Sequence, residues 1–398
     1  MTRCDIVVAG HICVDITPKF LPTPARTIGE LLVPGKLLEV GACVVSTGGP
    51  VSNTGVALSR IGAKVDLMAR VGEDTFGSIV VGKMREAGCG DGIRRIKGEV
   101  TAYTIVIAPP GIDRVFLHDP GANDTFTADD VAYERLDGAR LFHYGYPPLM
   151  KKTCANNGEE LVRMYKQAKE HGVTTSLDMA LPDPDSPTGR IDWRALLENV
   201  LPYVDIFLPS VEEVLFFLER DRFLEKRNEA RRRGIESLDL VTPDEYSRLG
   251  AEVMKLGAGI VALKSGHRGI YMRTAGADRL ERFGRAAAPD AANWAGRELW
   301  SAAYHVDQVA NATGSGDCAI AGFLASYLRG ETIEQALDFA TAAGRQNVLV
   351  YDATSGILPW AETAAAMKSW RKKKLDITAA GWRFDDCGQL WHGPADAR

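Results

Sequence analysis

Residues 311–330 read NATGSGDCAIAGFLASYLRG, with two glycines, the hydroxyls of Thr313 and Ser315 and the carboxylate of Asp317 directly before a long apolar helical pattern. The run CAIAGFLASYL predicts a helix, so Thr313-Gly314-Ser315-Gly316 occupies the turn at its N-terminus. Unpaired N–H groups there, together with the positive end of the helix dipole, make an anion site. Glycine lets the backbone approach a phosphate with no Cβ in the way. In a phosphoryl transfer such amides hold the moving group while a carboxylate accepts the proton of the attacking hydroxyl, and Asp317 stands where that carboxylate is needed. For this stretch alone a simpler alternative stays open: Gly314 and Gly316 make a tight turn and Asp317 caps the helix.

Two known glycine loops do not fit. A Walker A loop needs a lysine after its last glycine, and none follows here. A dinucleotide fingerprint needs G-x-G-x-x-G, but the third glycine, Gly322, arrives too late.

The remaining chemistry is bounded by composition. With 398 residues, 45% hydrophobic and 25% charged, the chain can bury a large core. A net charge of −5 gives no global reason to expect nucleic acid or an anionic membrane as partner. The seven cysteines are scattered and never form C-x-x-C, which reads as reduced thiols in a cytoplasmic protein. The first apolar run is too short for a signal peptide and reads as a strand, and no run approaches the ~20 residues of a membrane span.

Strand-like runs alternate with helical patterns: DIVVAG, KVDLMARVG, RLFHYGY, TTSLDM, VDIFLPS, GIVALKSG and GIYMRTA, with helices near 51–61, 75–87, 157–171, 192–200, 211–220 and 243–256. The alternation predicts an α/β fold with a doubly wound, mainly parallel sheet and helices on both faces. HVDQVA reads as a further strand leading into Asn311. Residues 16–46 and 93–125 break the alternation with proline, glycine and short β-like runs. They are expected to form a small inserted β lid over a site, or else decorative hairpins. The charged stretch 218–240 reads as a solvated helix face. The tail after Trp360 leaves 1–360 as the main domain and 361–398 as an extension whose Trp370, Trp382 and Trp391 dock on the main domain or on a partner subunit.

NATGSGD resembles the D-T-x-G-A-G-D signature of the PfkB (ribokinase-like) carbohydrate kinases, and GGPVSNTGVALSRIGAKVDLMARVGEDTFG, Gly48 to Gly77, resembles that family's N-terminal signature. The resemblance spans most of residues 5–360. It implies a ribokinase-like fold and ATP- and Mg²⁺-dependent phosphorylation of a hydroxyl on a sugar or related polyol. Asp317 would be the base, and Gly314, Ser315 and Gly316 the anion hole. Asp15, Gly48, Gly49 and Asn53 match the positions that bind the acceptor; Lys264, Gly266, Thr313 and Asn347 fall beside the nucleotide. Glu213, in FLPSVEEV, falls on the glutamate that organises Mg²⁺ through water, with Ser210 where asparagine is usual. Asn311 replaces the signature's first aspartate, which removes a charge used to bind a monovalent cation and puts K⁺ activation in doubt. A nucleoside kinase of the same family would instead place Phe20, Tyr103 or Phe116 against a base, and a catalytically silent sugar- or nucleotide-binding paralogue is the further alternative. A homodimer through an apolar lid face is compatible with either kinase reading.

Overall fold

The computed structural model describes residues 4–112, 114–288 and 290–398; Met1–Arg3, Asp113 in the second expected lid segment and Pro289 lie outside them. Among the described residues fifteen strands follow in chain order: β1 Ile6–Gly10, β2 Cys13–Phe20, β3 Val40–Gly48, β4 Val65–Gly72, β5 Ile93–Ile96, β6 Tyr103–Ile107, β7 Val115–Asp119, β8 Leu141–Gly145, β9 Thr174–Asp178, β10 Ile206–Phe207, β11 Ile260–Lys264, β12 Ile270–Thr274, β13 Glu298–Ser301, β14 Arg383–Asp385 and β15 Leu390–His392. Eleven form one sheet in the order β14-β15-β13-β12-β11-β10-β9-β8-β1-β4-β5. From β11 to β5 every neighbour is parallel, and from β11 to β14 every neighbour is antiparallel.

The central strands are continuous apolar runs because both sheet faces are covered. In β1, Ile6 and Val8 face one core cluster while Val7 and Ala9 face the other, and β11 divides Ile260 and Ala262 from Val261 and Leu263 in the same way. The chain winds outward from β1 to β4 and β5, then returns to β8 and runs on through β9, β10 and β11. Strand order therefore reverses between β1 and β8, and the crevice beyond their carboxyl ends is where an open α/β sheet binds ligands.

The lid is a four-stranded sheet in the order β3-β2-β6-β7. Its extent differs from the expectation. It begins at Cys13, contains a single helical turn at Ile28–Leu31, and excludes β5, which pairs in parallel with β4 at the edge of the main sheet. HVDQVA is also no strand. The preceding strand is β13, after which the chain turns away, with the His305 amide bonded to Arg371 O.

The expected helices lie at Pro50–Ile61, Thr75–Glu86, Lys151–Glu170, Trp193–Val200, Val211–Leu218 and Pro243–Lys255. That over 151–170 is interrupted at 155–158, where Asn156, Asn157 and Gly158 have positive φ, so its regular part starts close to the expected 157. The charged stretch is a helix, Arg220–Arg233, closed by Gly234. Arg220 on it donates to Pro184 O and Gly189 O, which fixes the loop after β9.

The C-terminal segment adds β15 and β14 to the β13 edge. Trp382 enters the core beside Trp300 and Tyr271, with ring centroids 5.8 and 6.2 Å away. Truncating it to alanine is expected to cost about 3–5 kcal/mol, the usual range for a buried aromatic. Urea unfolding measures this, and an unchanged midpoint would mean that the tail lies outside the cooperative unit.

Candidate active site

The carboxyl ends of the parallel strands and the lid enclose a cavity of about 810 Å³. Its floor is set by the helix Ser315–Arg329. Gly314 caps that helix at φ +79°, and a Cβ there would lie 2.8 Å from Ala353 Cβ, so both conformation and space require glycine. The Ser315 amide bonds Ala312 O and the Cys318 amide bonds Gly314 O, which leaves the amides of Gly316 and Asp317 without a backbone acceptor among the described residues. These are the donors an anion would meet.

Asp317 is 1% exposed. Its Oδ2 accepts from Asn53 Nδ2 at 2.8 Å and from the Tyr146 hydroxyl at 3.1 Å, while Oδ1 has no partner among the described residues. Burial, reinforced by the negative charge of Asp178, pushes its carboxyl up to about 7 against the opposing effects of Asn53 and Lys264. Tyr146 follows β8 with φ 64° and ψ 45°, a left-handed conformation that a non-glycine residue rarely adopts. That backbone turn delivers its hydroxyl to Asp317.

On one side of Asp317 lies an electrostatic cluster built from three strand ends. Asp178 closes β9, Lys264 closes β11, and Glu213 sits in the first turn of the helix after β10. Lys264 Nζ donates to Asp178 Oδ1 and Leu208 O. Burial alone would lower the lysine, but the charges of Asp178 and Glu213 override it and raise it. Glu213 is pushed up to about 7 by burial, with Lys264 opposing and Asp178 adding to the rise. Ser210 and Glu213 form a capping box: the Ser210 amide donates to Glu213 Oε2 at 2.6 Å and the Glu213 amide to Ser210 Oγ at 3.1 Å. Serine in the usual asparagine position thus keeps the helix start intact.

The opposite wall carries polar side chains from β1 and the lid. His11 Nε2 lies 3.4 Å from His118 Nε2 on the lid, whose Nδ1 is 3.1 Å from Thr104 Oγ1. Burial holds both imidazoles below their ordinary value, His11 at about 3, so both are neutral near pH 7 and each ring can donate one hydrogen bond and accept another. Asp15 lines the same wall, and Gly48 lies so close that a Cβ would fall 2.2 Å from Asp15 Oδ2. Gly49 caps the helix Pro50–Ile61 that carries Asn53.

The structure therefore gathers Asp15, Gly49, Asn53, Thr313, Gly314 and Asp317 around one cavity. Lys264 is no free strand-end charge: it is mostly covered beneath Gly316, where a Cβ would lie 3.2 Å from its Cε. Gly266 is exposed at the end of β11. Asn347 is 0% exposed and gives its amide hydrogens to Thr313 O and Ala353 O, so it supports the anion turn from behind and presents no adenine-facing surface. Of the three aromatic residues expected against a base, only Phe116 lines the cavity; Tyr103 packs on Phe76. Sequence reasoning missed His11, Thr104, His118, Tyr146 and Asp178. The available signal was position: His11, Tyr146 and Asp178 each fall at the carboxyl end of a marked strand.

The family model described as pfkB family carbohydrate kinase matches residues 5–361. The chain belongs to that family. Fructokinase-1 of Zea mays is 28% identical over 214 residues, 53% of this chain and 61% of its own length, so less than two thirds of that relative is spanned. Fructokinase-1 of rice is 25% identical over 353 residues, covering 86% of this chain and 91% of the relative. Two solved structures share the ribokinase-like fold: an Arabidopsis thaliana ribokinase complexed with ribose and ATP, with TM-score 0.66, 20% identity and coverage of 92% of this chain and 99% of that one, and a Xylella fastidiosa fructokinase with bound ATP, with TM-score 0.64, 19% identity and coverage of 91% and 98%. Among the described residues no helix is long and apolar enough to cross a membrane.

Proposed function

We propose that this pfkB family member transfers the terminal phosphoryl group of ATP to a hydroxyl of a sugar or related polyol, with Asp317 as general base. The observation that carries the reading is the buried carboxylate of Asp317, with Oδ1 unpartnered among the described residues, placed at a helix start whose amides await an anion. Asn53 and Tyr146 hold the base in place, and its raised proton affinity suits it to take a proton near neutral pH. His11, Asp15, Thr104 and His118 satisfy acceptor hydroxyls, each of which would cost about 1–3 kcal/mol if desolvated without a partner.

Among the described residues no three His, Cys, Asp or Glu side chains group as a direct metal site, which leaves Mg²⁺ to be carried by the phosphates of ATP and by water. Glu213, with Asp178 behind it, is a buried carboxylate beside the anion turn, and it would hold Mg²⁺ through water. Bound there, the ion would neutralise phosphate charge. Val309, Leu349 and Tyr351 are exposed on segments joined by the Ala310 N–Val348 O and Asn311 Nδ2–Tyr351 O bonds, and they offer an apolar surface for adenine. Because Asn311 is neutral and its Oδ1 already accepts from the Thr313 amide and from Arg114, dependence on K⁺ would be weak. Val44, Val45, Val115 and Leu117 are exposed on the lid and would support a homodimer. The nucleoside reading is left with Phe116 alone, and the sugar reading is preferred.

ATP consumption across a panel of sugars, polyols and nucleosides tests the proposal; consumption independent of every acceptor would contradict it. With an active acceptor, kcat/KM is expected to rise with pH through about 7 as Asp317 loses its proton. Asn53→Ala, which removes a hydrogen bond favouring the charged form, should move that limb to higher pH. A pH profile flat from 5.5 to 8.5 would contradict this assignment.

A further inference from the structure

One lid residue reaches across to the anion-binding turn. Arg114, between β6 and β7, donates from Nη1 to Thr313 Oγ1 at 3.0 Å and to Asn311 Oδ1 at 3.4 Å, and its guanidinium carbon stands 5.6 Å from the Phe116 ring centroid. Thr313 immediately precedes Gly314 and Asn311 lies three residues before it, so the guanidinium stands at the mouth of the anion site on the lid side. Phe116 lines the acceptor cavity, which links the same stretch of lid to both substrates.

The charges of the site call for a cation there. Asp178, Glu213 and Asp317 converge with Lys264, whose Nζ is bonded to Asp178. A nucleoside triphosphate adds further negative charge, and during transfer that charge spreads over the three equatorial oxygens of the moving phosphoryl group. The amides of Gly316 and Asp317 supply only partial charges. A guanidinium brings a full charge in a planar fork that matches phosphate oxygens.

We propose that Arg114 exchanges Thr313 and Asn311 for the transferring phosphoryl group once the cavity is filled, so that the lid completes the catalytic site. This rests on the phosphotransferase reading above. In the step, the acceptor hydroxyl oxygen bonds to the γ-phosphorus and its proton passes to Asp317. The bond from phosphorus to the bridging oxygen breaks with its electron pair leaving on ADP. Arg114 hydrogen-bonds the equatorial oxygens and is unchanged. A neutral residue at 311 suits the exchange, because a carboxylate there would add a full charge to the resting contact and hold the guanidinium back.

Arg114→Ala tests this, and because the side chain is exposed the variant should fold. Its kcat is expected to fall by at least about 10²-fold, the scale of losing one transition-state donor, with acceptor KM within about threefold of native. By calorimetry, affinity for Mg·ADP should be unchanged, while affinity for Mg·ADP with aluminium fluoride, which mimics the transferring group, drops at least about tenfold. Added guanidinium chloride should restore part of the rate. Asn311→Asp should slow the native protein and have no further effect in Arg114→Ala. A kcat within about threefold of native, or equal weakening of ADP and its aluminium fluoride complex, would overturn the inference. If the native protein transfers phosphate to no acceptor, the site reading fails and takes this inference with it; native turnover that survives Arg114→Ala sinks the inference alone.

Discussion

Asp317→Asn is expected to lower kcat by at least about 10²-fold while nucleotide affinity stays the same or tightens. Asparagine keeps the size of the side chain and an oxygen able to accept from Asn53 and Tyr146, so the local geometry can persist. It cannot take a proton, and general-base catalysis is generally worth 10²–10⁴-fold. Affinity should not suffer, because a carboxylate beside a bound phosphate is repulsive and the amide removes that repulsion. If Asp317 served only to start its helix, asparagine would serve nearly as well, since both residues are good caps. Steady-state kinetics and nucleotide titration of the folded variant separate the two roles, and near-native turnover would end the assignment of the base.

The second large effect is on stability. Lys264→Met leaves Asp178, Glu213 and Asp317 buried without their cation, and breaking a buried ion pair from one side generally costs about 3–5 kcal/mol. The loss should depend on pH. Glu213 and Asp317 stand at about 7 in the folded chain against ordinary values of 4.5 and 3.8. The native state therefore binds more protons than the unfolded state between those limits, and these groups make stability fall as pH rises from about 4 to 7. Without Lys264 all three carboxyls shift further up. The penalty should then be largest above pH 7 and shrink toward pH 5, where the carboxyls protonate instead of remaining charged. Urea unfolding at pH 5.5 and 8.5 measures the difference; an equal loss at both would show that Lys264 contributes packing rather than charge.

What could be read in the sequence were features carried by neighbours along the chain. The turn at Gly314, the carboxylate at Asp317 and the Gly49–Asn53 helix start are local, and their spacing alone places them on a helix N-terminus. The parallel sheet was legible because doubly covered strands are unbroken apolar runs. Asp178, Tyr146 and His11 were marked only by their place at strand ends and His118 by nothing, since each is a lone residue that gains meaning only when the topology brings β1, β8 and β9 side by side. The partners of Lys264 were not legible for the same reason: Asp178, Glu213 and Asp317 come from segments 51 to 86 residues away. β14 and β15 have three residues each, too few for periodicity, and they become strands by pairing, β15 with the edge of β13 and β14 with β15.

The central claim, transfer of a phosphoryl group to a polyol hydroxyl, is met most directly by following ³¹P resonances in a mixture of the native protein, Mg·ATP and an acceptor found active in the panel. A single new phosphomonoester resonance should grow in step with ADP, with inorganic phosphate at background. Release of inorganic phosphate without a phosphomonoester, or ATP left intact with every acceptor, would contradict the account.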